Sequence, residues 1–330
     1  MPGPEATARA KPPVHDSIGH PAALPQDVLD CAPGLFRGGK RMKFGIMAPY
    51  VQGPLEDGDY AAAFGQLAEE MGFESIWAVD HAVMCPDYES RYPYDPSGRS
   101  PFHENVVQPD PLTWLGWVAA HTQRIKLGTG ILILPLRNPV VLAKTVASLD
   151  LLSKGRLLLG VGVGWVREEA EAAGTDFTTR GKRCDEYIEA MRALWREPVS
   201  SYKGDHVRFE GVVSLPKPAQ ESGVPILIGG HSTAAARRAG RLGDGFYPLG
   251  VFGTELDALL ATMREAAHEA GRNPAEIGVT AVGAPKQALI EGLAKQGVER
   301  VLISPSSGDL DTLRKNWETF QREIAEPFAN

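Results

Sequence analysis

The sequence predicts an α/β protein, a (β/α)8 TIM barrel, and three observations predict it. From Met42 onward, short apolar runs alternate with helical stretches eight times. The eight units fill about 285 residues, within the usual range for such barrels. No break in composition divides them into two domains. A doubly wound sheet also alternates strand and helix, but eight regular units without interruption favour one closed barrel.

The elements follow in order. Lys43–Pro49 reads as the first strand and Tyr60–Met71 as the first helix, stopped at Gly72. Ser75–Val79 is the second strand, Leu112–Thr122 a helix, and Ile125–Gly130 the third strand. Asn138–Leu152 is helical, with Pro139 tolerated in its first turn. Arg156–Gly162 is the fourth strand and Arg183–Trp195 the fourth helix. Ser200–Pro218, with β-forming residues and two turn glycines, reads as a β-hairpin excursion before the fifth strand, Pro225–Ile228. Helix Thr233–Leu242, strand Gly245–Leu249, helix Glu255–Ala270 and strand Ile277–Val282 come next. Helix Lys286–Gln296, strand Val301–Ile303 and helix Leu310–Glu323 close the series. The connection after strand two, His81 to Asp110, is by far the longest. A loop of that length in a compact domain is usually a lid or a binding loop, and its tyrosines and Phe102 favour an ordered aromatic cover.

Composition removes several function classes. The chain has 330 residues, is 43% hydrophobic and carries a net charge of −7, with no basic block of the kind a nucleic-acid surface needs. Its longest apolar run, Leu127–Leu136, falls short of the roughly 18 residues that span a bilayer. The three cysteines, Cys31, Cys85 and Cys184, lie far apart, which fits a reducing cytoplasm better than a disulfide framework. The eight histidines show no HxH or HExxH spacing, so no metal is expected. Residues 1–41 are rich in proline, alanine and glycine and lack periodicity. They read either as a poorly ordered extension or as an over-called start, with the barrel domain running over 42–330.

In a barrel of this kind the chemistry sits where strands end and helices begin. Strand two ends in IWAVDH, bringing Asp80 and His81 to the mouth. A histidine there suits proton transfer near neutral pH; alternatively Asp80 caps the loop and His81 fills a polar gap. Strand three ends in LGTGILILPLRNP, where Gly128 and Gly130 permit close approach of a flat ligand, or the apolar run is plain packing. Gly229, Gly230, His231 and Ser232 lie between strand five and a helix. Free amides at that helix start suit a phosphate, with Ser232 as cap; the alternative is an ordinary capped turn.

The stretch LLLGVGVGWVREE places Gly160, Gly162 and Gly164 at alternate positions, not in the G-x-G-x-x-G order of a dinucleotide fold. It reads as a strand with one bare face, a floor for a flat ring, with Trp165 and Glu168 at its rim. Asp80, Glu104, Asp110, Glu168 and Glu169 near the mouth raise a glycosidase reading, but a glycosidase has no use for a phosphate turn.

Taken together, WAVDH, LGTGILILPLRNPVVLAKTVASLDLLSKGRLLLGVGVGW, RGKRCDEYIEAMRALW, PILIGGHSTAAARRAGRLGDGF and GVERVLI resemble the bacterial-luciferase-like flavin and deazaflavin oxidoreductases, in that family's order. The likeness covers nearly all of residues 42–325, and the GVGVGWVREE and LDLLSKGR wording is most similar to a branch assigned to coenzyme F420, a deazaflavin. The resemblance implies a cofactor ring held at the strand ends, Asp80 and His81 beside it, and a non-proline cis peptide at or near Gly130–Ile131. It also implies the cofactor phosphate on Gly229, Gly230, His231 and Ser232; the bare strand face at Gly162 and Gly164 would then lie under the ring. His81 would then be the acid/base, with Asp80 setting its tautomer.

The expected activity is hydride transfer between reduced F420 and a small organic substrate, by C=C, C=N or C=O reduction or alcohol oxidation. An FMN-dependent monooxygenase fed by a separate cofactor-reducing enzyme is the alternative, and a non-catalytic flavin-binding barrel a third reading. The long loop and the hairpin 200–218 would shape the substrate pocket. Tyr88, Tyr92, Tyr94, Phe102 and Trp165 suggest an apolar or aromatic molecule, or else only pack the lid. Relatives in the family are often homodimers, and no nucleic-acid or membrane partner is expected.

Overall fold

The computed structural model describes residues 42–100, 102 and 104–328; the stretch 1–41 and the readings made of it lie outside them. Eight parallel strands form the sheet: β1 (Lys43–Met47), β2 (Ser75–Ala78), β3 (Lys126–Thr129), β4 (Leu157–Gly162), β5 (Ile226–Gly229), β6 (Gly245–Tyr247), β7 (Gly278–Val282) and β8 (Arg300–Ile303). Each pairs with the next, β3 meets β4 through Leu127↔Leu157 and Gly128↔Leu158, and β8 returns to β1 through Lys43↔Arg300. The sheet therefore closes, as the eightfold alternation predicts. Outside it lie α1 (Gly58–Glu70), α2 (Pro111–His121), α3 (Pro139–Leu152), α4 (Arg180–Arg196), α5 (Thr233–Leu242), α6 (Gly253–Glu269), α7 (Gln287–Lys295) and α8 (Leu310–Phe320).

Successive strand residues face opposite ways, so each strand serves two cores. Outward residues such as Ile46, Ile76, Leu127, Leu157, Leu159, Ile226 and Val301 pack under the helices. Inward, Trp77, Leu158, Leu227, Tyr247 and Leu302 fill the bore, and the partly exposed Met47, Ile131 and Val282 pack against them. The indole of Trp77 needs glycine on both neighbouring strands. A β-carbon on Gly128 would stand 2.4 Å from it, and one on Gly45 2.9 Å. The opposite end of the bore is closed by polar groups. Arg300 grips Glu74 with two hydrogen bonds of 2.9 and 3.0 Å and donates to Thr280 at 3.2 Å.

Helices enter at the mouth on side-chain caps that are visible in the sequence. Asp57, Asp110, Asn138, Ser232 and Asp309 each accept a hydrogen bond from an amide of the first helical turn. Two excursions depart from the simple pattern. The chain after β4 forms a short helix, Arg167–Ala172, that periodicity did not reveal. The expected hairpin is present, Ser200–Lys203 against Arg208–Val212, but it lies elsewhere than expected. It leaves the C-terminus of α4, which runs away from the mouth, and packs back along that helix. Tyr202 donates to Glu189 at 2.7 Å and the His206 amide donates to Glu186 at 2.8 Å. The hairpin thus leaves the barrel from the end opposite the mouth, because a helix that starts at the mouth delivers its own C-terminus to that end. Among the described residues, no helix is long and apolar enough to cross a membrane.

Candidate active site at the barrel mouth

Consecutive residues at the end of β2 turn to opposite partners. The Asp80 side chain is 3% exposed; one oxygen accepts from the Ile133 amide at 2.9 Å and the other from Arg137 at 2.8 Å. Arg137 also reaches Asp110, the cap of α2, at 2.8 Å. Asp80 thus ties the loops after β2 and β3 together. Burial pushes its carboxyl above the ordinary aspartate value, against the pull of Arg137 and the Ile133 amide.

His81 has a different partner from the one expected. Its Nδ1 lies 3.0 Å from a carboxylate oxygen of Glu169, whose side chain is 1% exposed and whose other oxygen accepts from the Ala82 amide at 2.6 Å. Where Nδ1 carries the proton it donates to this carboxylate, which leaves Nε2 for proton exchange. Setting the tautomer therefore falls to Glu169 rather than Asp80, which is already engaged by Arg137.

Glu168 turns the other way from the same short helix. It accepts from the amides of Glu89 and Ser90 at 2.6 and 3.2 Å and from the Ser90 hydroxyl at 2.7 Å, while that hydroxyl accepts from the Arg167 amide at 2.9 Å. Its carboxyl is pulled down to about 2, the hydrogen bonds from Ser90 and Glu89 outweighing what burial adds. Expected at the substrate rim, Glu168 instead fastens the lid. Two neighbouring glutamates divide the work, one holding the lid and the other the imidazole.

Aromatic rings run from His81 to the turn after β5. Trp165 sits edge-on to His81 at 6.2 Å between centroids and to Tyr88 and Tyr92, each at 5.2 Å. Tyr92 meets Tyr94 at 5.3 Å, and Tyr94 meets His231 at 4.7 Å. Burial pushes the phenols of Tyr92 and Tyr94 up to about 12, so both stay neutral. Phe102 is apart from this group and packs on Tyr50, beyond the end of β1, at 5.9 Å.

The glycine series has two jobs. A β-carbon on Gly160 would lie 2.0 Å from the carbonyl oxygen of Thr129, so this glycine lets β3 and β4 approach. One on Gly162 or on Gly229 would stand 2.5 Å from the Ile131 side chain. The bare strand face is therefore a seat for Ile131, not an open floor, and it is the Ile131 side chain that the mouth presents. The peptide Gly130–Ile131 is cis, at the place the family resemblance implies. Gly164, at φ 79°, turns the chain toward Trp165.

At the turn after β5, Gly230 adopts φ 119° and its amide donates to the Tyr247 carbonyl at 3.2 Å. Ser232 caps α5 through Ala235, with Ser232, Thr233 and Ala234 all exposed around the helix start. The Nδ1 atom of His231 is shielded from solvent and has no hydrogen-bond partner. Beside His81, a cavity of about 340 Å³ opens toward Gln108, Asp110, Leu136 and Arg137. Arg137 and Gln108 went unassigned in the sequence, and Glu169 was placed only among the acids near the mouth. Glu169 and Arg137 act through partners distant in the chain, Gln108 has no hydrogen-bond partner, and only the EE pair carried any local signal. Among the described residues, no group of three histidine, cysteine or acidic side chains is placed to hold a metal ion.

Comparison with known proteins agrees with the barrel fold. A family model described as luciferase-like monooxygenase matches residues 42–286. An uncharacterized protein of Mycobacterium tuberculosis is 32% identical over 284 residues, covering 82% of this chain and 96% of its own. An F420-dependent glucose-6-phosphate dehydrogenase of Amycolatopsis mediterranei is 32% identical over 246 residues, 72% of this chain and 67% of its own. Among solved structures, a monooxygenase from Streptomyces bottropensis superposes with a TM-score of 0.72 at 24% identity, over 87% of this chain and 100% of that one. The chain belongs to the luciferase-like monooxygenase family of oxidoreductases, with F420-dependent dehydrogenases among its relatives.

Proposed function

We propose that the chain is a coenzyme F420-dependent oxidoreductase that transfers a hydride between the reduced deazaflavin and a small organic substrate, with His81 as acid/base. The observation that carries this reading is the His81–Glu169 pair. A carboxylate buried to 1% exposure fixes one imidazole nitrogen and leaves the other for the substrate. The Amycolatopsis relative supports the choice of cofactor.

The residues present fit such a group. Ile131, seated on Gly162 and Gly229 and packed, like Met47 and Val282, on the bore cluster, offers an apolar surface to a flat ring. Gly229, Gly230, His231 and Ser232 offer a helix start to a phosphate, and the unpaired Nδ1 of His231 lacks a partner that such a ligand would supply. When bound, a deazaflavin supplies a hydride and reacts poorly with oxygen.

The protein's own part is the proton and the setting. Nε2 of His81 gives a proton when a double bond is reduced and takes one when an alcohol is oxidised. Glu169 stabilises the imidazolium that appears in either direction, as a carboxylate paired to a catalytic histidine does. Asp80 holds the loop beneath, and the tyrosine lid excludes water.

An FMN-dependent monooxygenase, taking reduced flavin from a separate reductase, is the second reading, favoured by the likeness to the Streptomyces monooxygenase. Titrating the protein with F420 and with FMN, following ring fluorescence, separates the two. Tight F420 binding is expected, and tight FMN binding without it overturns the proposal.

A further inference from the structure

The cavity beside His81 contains an amide that nothing in the fold uses. Gln108 lies two residues before the cap of α2, and both its Oε1 and its Nε2 are shielded from solvent without a hydrogen-bond partner. Buried side-chain polar atoms are nearly always paired, and a whole carboxamide left unpaired is costly. Gln108 lines the same cavity as His81, so a molecule that displaces the cover over its amide lies within the same small volume as the imidazole.

Charge narrows what that molecule is. The cation lining the cavity, Arg137, is already bridged to Asp80 and Asp110 at 2.8 Å each, so one positive group faces two negative ones. Even with His81 protonated, its charge is engaged by Glu169 as that of Arg137 is by Asp80 and Asp110. An anion entering here therefore meets a net negative wall and finds no uncommitted cation. A neutral group that both donates and accepts satisfies both ends of Gln108 at once; a hydroxyl or a carboxamide does this. The volume of about 340 Å³ is at the low end for ligand pockets and suits a small molecule.

We propose that Gln108 is the specificity residue of this cavity, and that it binds the neutral hydroxyl or carboxamide group of a small, uncharged substrate beside His81. The assignment of that ligand as substrate rests on the function proposed above; the binding itself does not. The name of the Amycolatopsis relative specifies a phosphorylated sugar. On this proposal the cavity takes an uncharged group, so the two proteins are expected to differ in substrate class.

The test is a set of cofactor-free titrations of the full chain by ligand-observed NMR. The probes are cyclohexanol, cyclohexanecarboxamide, cyclohexanecarboxylate, cyclohexylammonium and glucose 6-phosphate. The first two are expected to bind saturably to the wild type, and the two anions not to compete with them. Gln108→Met keeps the length and removes the polar atoms. It is expected to weaken both neutral probes about tenfold, the worth of one good hydrogen bond, with an unchanged or higher melting temperature.

Gln108→Glu adds a second test by placing a carboxylate near Asp80 and Asp110, and it is expected to tighten cyclohexylammonium about tenfold. Equal binding of neutral probes by wild type and Gln108→Met overturns the proposal. So does binding of the carboxylate as tight as that of the carboxamide, or no saturable neutral binding at all, which would mean the amide only holds water. Because no cofactor is present, failure here leaves the hydride-transfer reading standing. Probe binding by a protein that binds no F420 removes that reading and leaves this one.

Discussion

His81 and the two acids around it show how little sequence adjacency says about partnership. Asp80 and His81 are neighbours, yet one faces Arg137 and the Ile133 amide and the other faces Glu169. Replacing His81 with alanine is expected to lower turnover on the order of a hundredfold or more while cofactor affinity stays within a few-fold, because in the proposed function this group moves a proton and does not seat the ring. Steady-state kinetics beside a fluorescence titration reads both quantities, and normal turnover ends the acid/base role. Glu169→Gln keeps the shape but removes the charge that, in the proposed function, stabilises the imidazolium. A fall in kcat on the order of tenfold to a hundredfold with little change in KM is expected. The DH dipeptide was legible because it ends a strand at the mouth. Glu169 was not, since it lies 88 residues away and only folding brings its carboxylate to Nδ1.

Whole elements set the surface that those residues share. Along β4, Gly160 and Gly162 look equivalent in the sequence but are not. Gly160→Ala drives a β-carbon into the Thr129 carbonyl, a backbone atom that cannot step aside, and is expected to destabilise the barrel by about 3 kcal/mol or more. Gly162→Ala meets only the Ile131 side chain; it is expected to fold but to weaken cofactor binding about tenfold by displacing that side chain. Thermal melts together with cofactor titration distinguish the two variants, and identical behaviour contradicts the division of roles.

The lid is a second element, fastened at Glu168 among other contacts. Glu168→Ala removes the acceptor for Glu89 and Ser90, and trypsin cleavage at the exposed Arg91 and Arg99 is expected to accelerate several-fold, roughly, with the melting temperature little changed. Unchanged cleavage would show that the aromatic contacts alone hold the loop. The length and tyrosine content of this loop announced a lid. Its anchoring point was hidden because Glu168 reads like any charge on a short exposed helix.

The closed barrel itself depends on both of its ends. Opposite the mouth, Glu74 is drawn down from 4.5 to about 2; burial works against this, but the paired guanidinium of Arg300 wins. A carboxyl held below its unfolded value stabilises the fold above that value and loses the contribution as pH falls from about 4.5 toward 2. Glu74→Gln is therefore expected to cost on the order of 2–3 kcal/mol at pH 7, with the gap to wild type closing across that acid window. Denaturant melts at several pH values measure this, and a gap independent of pH refutes the assignment. The order of eight strands and eight helices was readable because parallel strands buried on both faces give apolar runs that helical stretches punctuate. The site of the hairpin was not, since composition marks a hairpin but not which end of the barrel it leaves.

The sequence by itself determined the barrel, its closure after eight units, the long cover over the mouth, the Asp-His end of β2 and the capped turn after β5. All of these rest on local chemistry: apolar periodicity, cap residues, glycine and loop length. Only the tertiary structure decided that Glu169 holds His81, that Glu168 holds the lid, that Ile131 occupies the glycine face, and that Gln108 stands unpaired beside Arg137. These are contacts between segments far apart in the chain. Their partners are selected by how strands and helices pack, a choice that no single stretch of residues encodes.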